Sequence, residues 1–119
     1  MHMINLDYDY DPRADSLFVW SKNKYQYDFS FTIDDDIVID IDCNSLPVAF
    51  EFFNASRWFN VKKSDFNHIE SIKILVEINE KFICLNADLV VLANDVHIYR
   101  IRTNLDKFPT NEYEFSLKN

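Results

Sequence analysis

Glycine is absent from this chain of 119 residues, which also has only 3 prolines and 2 cysteines. The absence excludes glycine-rich phosphate-binding loops and the nucleophile elbow of α/β-hydrolases, both of which are built around glycine. Turns that need a positive φ must instead use Asn and Asp, which tolerate it best among the other residues. We therefore expect turns at five sites rich in Asn or Asp, at residues 22–24, 34–35, 44–45, 79–80 and 94–95.

The two cysteines, Cys43 and Cys84, are too far apart in sequence to form a CxxC pair, so they indicate neither a zinc site nor a disulfide framework. We expect both thiols to be reduced. No apolar run approaches the roughly 18 residues that span a membrane, and no basic segment precedes an apolar one at the N-terminus. These features predict a cytoplasmic protein without membrane contact.

Positive charge is scarce, because 12 Lys and Arg stand against 20 Asp and Glu, a formal net charge of −8. Such a chain repels phosphate backbones unless its basic residues cluster. The two small basic groups, near residues 57–63 and 100–107, are interpreted as solvated faces. Nucleic acid is not expected as a partner, and a small basic protein suits the overall field better.

Apolar residues make up 48% of the chain and aromatic residues 16%, which predicts a folded core within a single domain over residues 1–119. Residues 25–33 alternate between an aromatic face and a polar face, the pattern of a half-buried strand. Similar runs predict strands at 6–10, 15–21, 72–78, 81–85, 89–92, 96–102 and 113–117. Only residues 54–69 indicate helix or irregular structure.

The predicted fold is therefore mainly β, or α+β with one or two short helices around residues 54–69. We expect an antiparallel meander of about seven to nine strands, with a curved or barrel-like sheet as one form of it.

Residues 36–52 predict a hairpin with a definite register. The isoleucines of the first strand must share a buried face with Val48, Phe50 and Phe52 of the second. This places Ile39 opposite Phe50 or Phe52.

The same register turns Glu51 to the side of Asp40 and Asp42, with Asp36 further along. Like charges this close are unfavourable unless water, salt, a basic side chain or a cation offsets them. Three interpretations stay open. Asp40, Asp42 and Glu51 are a plain acidic surface or a weak divalent-cation site, or they form a protein-partner surface together with Asp36.

The spacing from Asp40 to Glu51 also fits an EF-hand calcium loop, but the flanks are strands, Pro47 lies inside the loop, and Ser45 stands where glycine is needed. We therefore reject the EF-hand interpretation.

Other polar and aromatic residues form no recognisable catalytic set, and the prediction leans away from an enzyme. His2, His68 and His97 are widely separated and are interpreted as structural or exposed. Asp11 and Asp15 flank a proline-containing turn and are expected to hydrogen-bond to its backbone, with acid or metal chemistry as the alternative. Trp20 and Trp58 are expected to be core or rim aromatics, with partner anchoring as the alternative.

Three segments resemble the pattern of a small prokaryotic family of unknown function, DUF2283. Residues 10–19 resemble its Tyr-Asp-x-x-Ala-Asp-x-Leu-Tyr-Ile opening, residues 34–42 its acidic strand, and residues 47–56 its Val-Gly-Ile-Glu-Ile-x-x-Ala-Ser ending. The resemblance covers roughly residues 4–60, and residues 70–119 are predicted as a β-rich extension that packs on this region. The family's turn glycine is replaced around Asn44 and Ser45, and a second glycine is replaced by Ala49.

The resemblance implies a β-rich fold without an established activity. Because some family members are thought to be encoded beside small toxin-like proteins, it also implies an antitoxin-like partner of a small protein. Our leading hypothesis is a non-catalytic protein-interaction module, and the alternative is a weak divalent-cation-binding protein. Exposed strand edges make a homodimer as plausible as a monomer.

Overall fold

The computed structural model describes residues 2–105 and 107–118, without the side chains of residues 2, 3 and 118. Strands dominate, as the period-two patterns predict. In chain order they are β1 (His2–Asp11), β2 (Ser16–Ser21), β3 (Tyr27–Ile33), β4 (Ile37–Asp42), β5 (Pro47–Phe52), β6 (Ile69–Ile78), β7 (Phe82–Val91), β8 (Asn94–Thr103) and β9 (Asn111–Lys118). The mainly β fold class is confirmed.

The nine strands form one sheet in the order β3-β4-β5-β2-β1-β9-β6-β7-β8, which curls into a half-barrel. Neighbouring strands are antiparallel, except that β1 and β9 run parallel, from His2 opposite Tyr113 to Asn5 opposite Ser116. The antiparallel prediction is therefore largely right. Its exception brings the last strand back beside the first, a long-range pairing that local periodicity does not show.

The core fills the concave side of this sheet, where alternate residues of each strand are buried. Leu17 and Val19 of β2, and Ile74 and Val76 of β6, are at most 1% exposed. Both halves of the sheet share this core. Phe50 of β5 meets Phe115 of β9 edge-on, with ring centroids 4.8 Å apart.

Residues 54–69 contain both helical segments, as predicted. The α-helix α1 (Ala55–Phe59) is followed by a 3-10 helix (Lys63–His68). Phe59 and Phe66 are buried and contact one another edge-on, so the segment packs onto the core. In the described part of the chain, neither helical segment is long and apolar enough to cross a membrane.

The hairpin register is confirmed, because Ile39 pairs with Phe50 and Val38 with Glu51. A β-bulge then shifts the register between Asp40 and Ile41. The bulge lies directly before the turn in which Ser45 has a φ of 63°. Ser45 thus occupies a left-handed position in the turn where the family pattern has glycine.

Left-handed turn positions are occupied without glycine throughout the described residues. They are Asp15, Asp34, Ser45, Asn54, Asn60, Leu92, Ala93 and Lys107. The turn predicted at residues 94–95 lies two residues earlier, because Leu92 and Ala93 have φ values of 48° and 64° and β8 already begins at Asn94. Such a pair suits the twist of a two-residue hairpin but costs about 1–2 kcal/mol per residue that carries a Cβ.

Replacing Leu92 and Ala93 by the residues that this type of two-residue turn prefers should therefore stabilise the protein. We expect Leu92→Asn with Ala93→Gly to raise the free energy of unfolding by about 1–2 kcal/mol, measured by urea denaturation. Ala87→Gly, in the buried part of β7, is the control and should destabilise. An unchanged or lower stability of the double variant would contradict the strain argument.

Candidate functional site

Asp40 and Glu51 lie on the convex face of the sheet, as the register predicts. Asp40 accepts a hydrogen bond of 2.6 Å from Ser30 on β3, and Glu51 accepts one of 2.8 Å from Ser16 on β2. Burial, together with the charge of Asp40, raises the pKa of Tyr25 above its ordinary value. The two carboxylates therefore belong to one surface, although each is bonded to a different neighbouring strand.

Asp42 is buried, only 5% exposed, and serves the turn after β4. One of its carboxylate oxygens accepts hydrogen bonds from the backbone N–H groups of Asn44 and Leu46, each 2.9 Å long. A short acidic side chain that binds its own turn in this way stabilises positive-φ turns. The bulge and this turn separate Asp42 from the surface of Asp40 and Glu51.

Asp36 lies at the rim of the half-barrel. Its carboxylate accepts hydrogen bonds from the indole Nε1–H of Trp58, at 3.0 Å, and from the side-chain amide of Asn54, at 3.2 Å. Asp36 therefore joins the turn between β3 and β4 to the start of α1.

The four predicted carboxylates thus occupy three places in the fold. Among the described residues, no group of three or more His, Cys, Asp or Glu side chains is arranged to hold a metal ion. Binding of a divalent cation by Asp40, Asp42 and Glu51 stays a prediction.

An aromatic pair lies at the centre of the convex face of β1, β2, β4 and β5. Phe18 and Trp20 are stacked with centroids 5.2 Å apart, and both are half-buried. Phe18 stands between Asp9 and Glu51 in the strand register, whereas Trp20 stands between Asp7 and Ala49. Asp40 is the next residue beyond Ala49 in that row.

We call this surface the acidic-aromatic face, defined by Asp7, Asp9, Phe18, Trp20, Asp40 and Glu51. Its carboxylates flank the aromatic pair on both sides. In the part of the chain that the structure describes, none of the four carboxylates has an ion pair, since the pairs found involve Asp34, Asp88 and Glu114. An uncompensated negative field around half-buried rings is typical of a surface that binds cationic partners.

The hairpin pattern predicts Asp40 and Glu51 on this face but does not predict Asp7, Asp9 and Phe18 there. The alternation of Asp7 and Asp9 with Leu6 and Tyr8 does predict an outward acidic row. Only the strand order shows that this row on β1 lies beside β2, and that β2 in turn lies beside β5.

Asp15 forms a separate network that fastens α1 to the turn between β1 and β2. Its carboxylate accepts hydrogen bonds from the hydroxyls of Tyr10 and Ser56, both 2.7 Å long, and from the Ser56 backbone N–H at 3.0 Å. Its backbone carbonyl accepts from Ala55. Asp11 binds the backbone of its own turn, as predicted, through Arg13. Asp15 instead reaches a helix 41 residues away.

The chemistry of this network is that of a buried, hydrogen-bonded carboxylate. Burial opposes ionisation of Asp15, but hydrogen bonds from Ser56 and Tyr10 outweigh it and lower its pKa. Burial, reinforced by the adjacent Asp15 charge, raises the pKa of the Tyr10 phenol well above its ordinary value. Around neutral pH the carboxylate is therefore charged and the phenol neutral, an arrangement that holds the helix in place.

The nine-stranded half-barrel defines a small, mainly β protein. A family model described as a protein of unknown function (DUF2283) matches residues 7–56. The chain belongs to this family, so the resemblance seen over residues 4–60 is confirmed. The match includes Tyr10, Asp15 and Ser56, which form the network that fixes α1.

Two proteins are similar to this chain over more residues than the family model matches. An uncharacterised protein of Methanocaldococcus jannaschii is 34% identical over 101 residues, covering 82% of this chain and 81% of the relative. A protein of Methanosarcina mazei with the provisional name hypoxanthine phosphoribosyltransferase is 34% identical over 84 residues, covering 71% of this chain and 67% of the relative. No solved structure matches.

The Asp15 network yields a prediction about stability and pH. Asp15→Asn keeps the size of the side chain and tolerates the φ of 51°, but removes the charge that strengthens three hydrogen bonds. We expect the free energy of unfolding at pH 7, measured by urea denaturation, to fall by about 1.5–3 kcal/mol.

The folded-state pKa of Asp15 is lowered, so its stabilising contribution is present above the ordinary Asp value of about 3.9 and is lost as pH falls through the folded-state value. The difference between wild type and Asp15→Asn should therefore narrow below about pH 4. Exposed Asp95→Asn is the control. A difference that stays constant into strong acid would refute the role of the charge.

Proposed function

We propose that this protein is a non-catalytic interaction module that binds a basic segment of a protein partner through its acidic-aromatic face. The observation that carries the proposal is the stacked pair of Phe18 and Trp20 between two rows of carboxylates that lack ion pairs within the described residues. A small basic protein, including one of toxin-like type, fits this chemistry.

The two components of the face would contribute differently to binding. Carboxylates at the edges, Asp7 and Asp9 above all, would accelerate encounter with a cationic partner and make it dependent on salt. The central rings supply apolar area, and aromatic residues at the centre of an interface commonly carry most of its affinity. We therefore expect contacts with Trp20 to determine the dissociation rate, and the carboxylates to determine the association rate.

Purine phosphoribosyl transfer is not part of the proposal, despite the name of the Methanosarcina mazei relative. Phosphorylated substrates require positively charged or N–H-lined sites. The described cleft that Arg57 and Arg100 line also contains Asp36, and Asp34 and Asp35 lie close by. The carboxylates around these two arginines favour a cationic ligand over a phosphate group.

Charge reversal on one strand tests the proposal. Asp7→Lys with Asp9→Lys should lower affinity for a partner isolated from native lysate at least tenfold, since both side chains are exposed and have no ion pair to lose among the residues that the structure describes. Binding of the purified partner would be measured by calorimetry at two salt concentrations.

The matched control is Glu77→Lys with Glu112→Lys, two carboxylates that oppose one another across β6 and β9 on the other half of the sheet. It makes the same change in net charge. Partner binding that survives the Asp7 and Asp9 reversal, or that both double variants weaken equally, would show that the face is not the contact.

A further inference from the structure

A cleft of about 630 Å³ opens at the rim of the half-barrel, away from the acidic-aromatic face. It lies between the turn after β3, the helix α1 and the edge strand β8. Its walls are Asp34, Asp35, Asp36, Trp58, Tyr99, Arg100 and Ile101. A second cleft of about 330 Å³ lies beside it, and Asp36, Trp58 and Arg100 line both. We call the two together the Trp58 cleft.

Arg100 shows what kind of group the Trp58 cleft holds. Its guanidinium carbon lies 4.2 Å from the centroid of the Trp58 ring, the geometry of a cation–π contact. Its Nε is 2.9 Å from a carboxylate oxygen of Asp34. The indole is itself oriented by its hydrogen bond to Asp36. The fold thus builds an aromatic platform with carboxylates around it, and a guanidinium already lies on the platform.

Arg100 does not make all the contacts that the Trp58 cleft offers to a guanidinium group. Only Nε faces Asp34, and one terminal nitrogen turns back to the carbonyl of Tyr99 at 2.8 Å, so the two-pronged pairing that guanidinium and carboxylate can make is not formed. Asp35 is exposed and has no ion pair within the described residues. The Trp58 cleft therefore holds three adjacent carboxylates against two arginines, Arg100 and Arg57, and negative charge remains in excess.

The Arg100 contacts are also readily exchanged with solvent. The side chains of Arg100 and Asp34 are 40% and 45% exposed, and ion pairs this exposed contribute little to stability. A guanidinium from outside would meet the same indole and could form the two-pronged pair that Arg100 does not make.

We propose that the Trp58 cleft is a binding site for a guanidinium group from outside the chain, and that Arg100 occupies the site in the free protein. The incoming group lies on Trp58, pairs with Asp34 and displaces Arg100. The group belongs either to an arginine side chain of a polypeptide or to a small guanidinium compound. This site is separate from the acidic-aromatic face, so it does not rest on the proposed function.

Indole N–H signals in NMR spectra of the ¹⁵N-labelled protein provide the test. The chain has 2 tryptophans, so Trp58 reports the site and Trp20 is an internal control. The probes are arginine amide, lysine amide and a short neutral peptide containing one arginine. We expect arginine amide to shift Trp58 and residues 34–36 saturably at millimolar concentrations, and lysine amide to do so much more weakly.

Removal of the internal competitor should strengthen binding. Arg100→Ala, or Arg100→Gln if the first variant folds poorly, should bind arginine amide about tenfold more tightly than wild type. Arg102→Ala is the matched control, because Arg102 lies on the same strand as Arg100 but over the ring of Phe31. This variant should bind arginine amide with the same affinity as wild type. Adding Asp34→Asn to Arg100→Ala should abolish the gain.

A peptide that binds more tightly than arginine amide would assign the site to a polypeptide ligand, and equal affinities would assign it to a small guanidinium compound. A wild-type Trp58 signal that does not move with arginine amide, or that moves equally with lysine amide, overturns the proposal. So does an Arg100→Ala variant that binds no more tightly than wild type.

Discussion

The parallel pairing of the first strand with the last holds this molecule together. Five strands from the first half of the chain and four from the second would otherwise be two separate sheets, each with an apolar face to cover. Four residue pairs between β1 and β9 join them. Because of this junction, Phe50 and Phe115 meet in one core instead of facing solvent.

The curl that follows from this junction creates the rim. It brings the two ends of the sheet, β3 and β8, to within 8 Å of one another, although the two strands do not pair. Side chains connect them instead. Arg102 donates a hydrogen bond to the carbonyl of Thr32 at 3.1 Å, and Arg100 reaches Asp34. The acidic-aromatic face, by contrast, is formed within the first five strands.

Much of the fold follows from local pattern. Alternation predicts the strands, and the requirement that Ile39 and Phe50 share one buried face predicts their register. The burial of Asp42 in the turn after β4 could not be predicted, because it depends on the β-bulge between Asp40 and Ile41. Nor could the meeting of Trp58 with Arg100, which are 42 positions apart and are brought together only by the curl. Periodicity says which way a side chain points, but not which strand lies beside it.

The family pattern describes architecture more than activity. Tyr10, Asp15 and Ser56 are bound to one another in a network that fixes α1, so their presence accounts for the fold without identifying what the protein binds. Residues outside that network, such as Trp20 and Trp58, distinguish the two candidate surfaces.

The missing glycines also affect the unfolded chain. Each left-handed turn held by a residue with a Cβ is strained in the folded state, and Leu92 and Ala93 are the least suited to it. A chain in which every residue carries a Cβ, however, visits fewer backbone conformations when unfolded, and therefore loses less entropy on folding. This difference in entropy offsets part of the turn strain, and it is a contribution to stability that no contact in the folded structure displays.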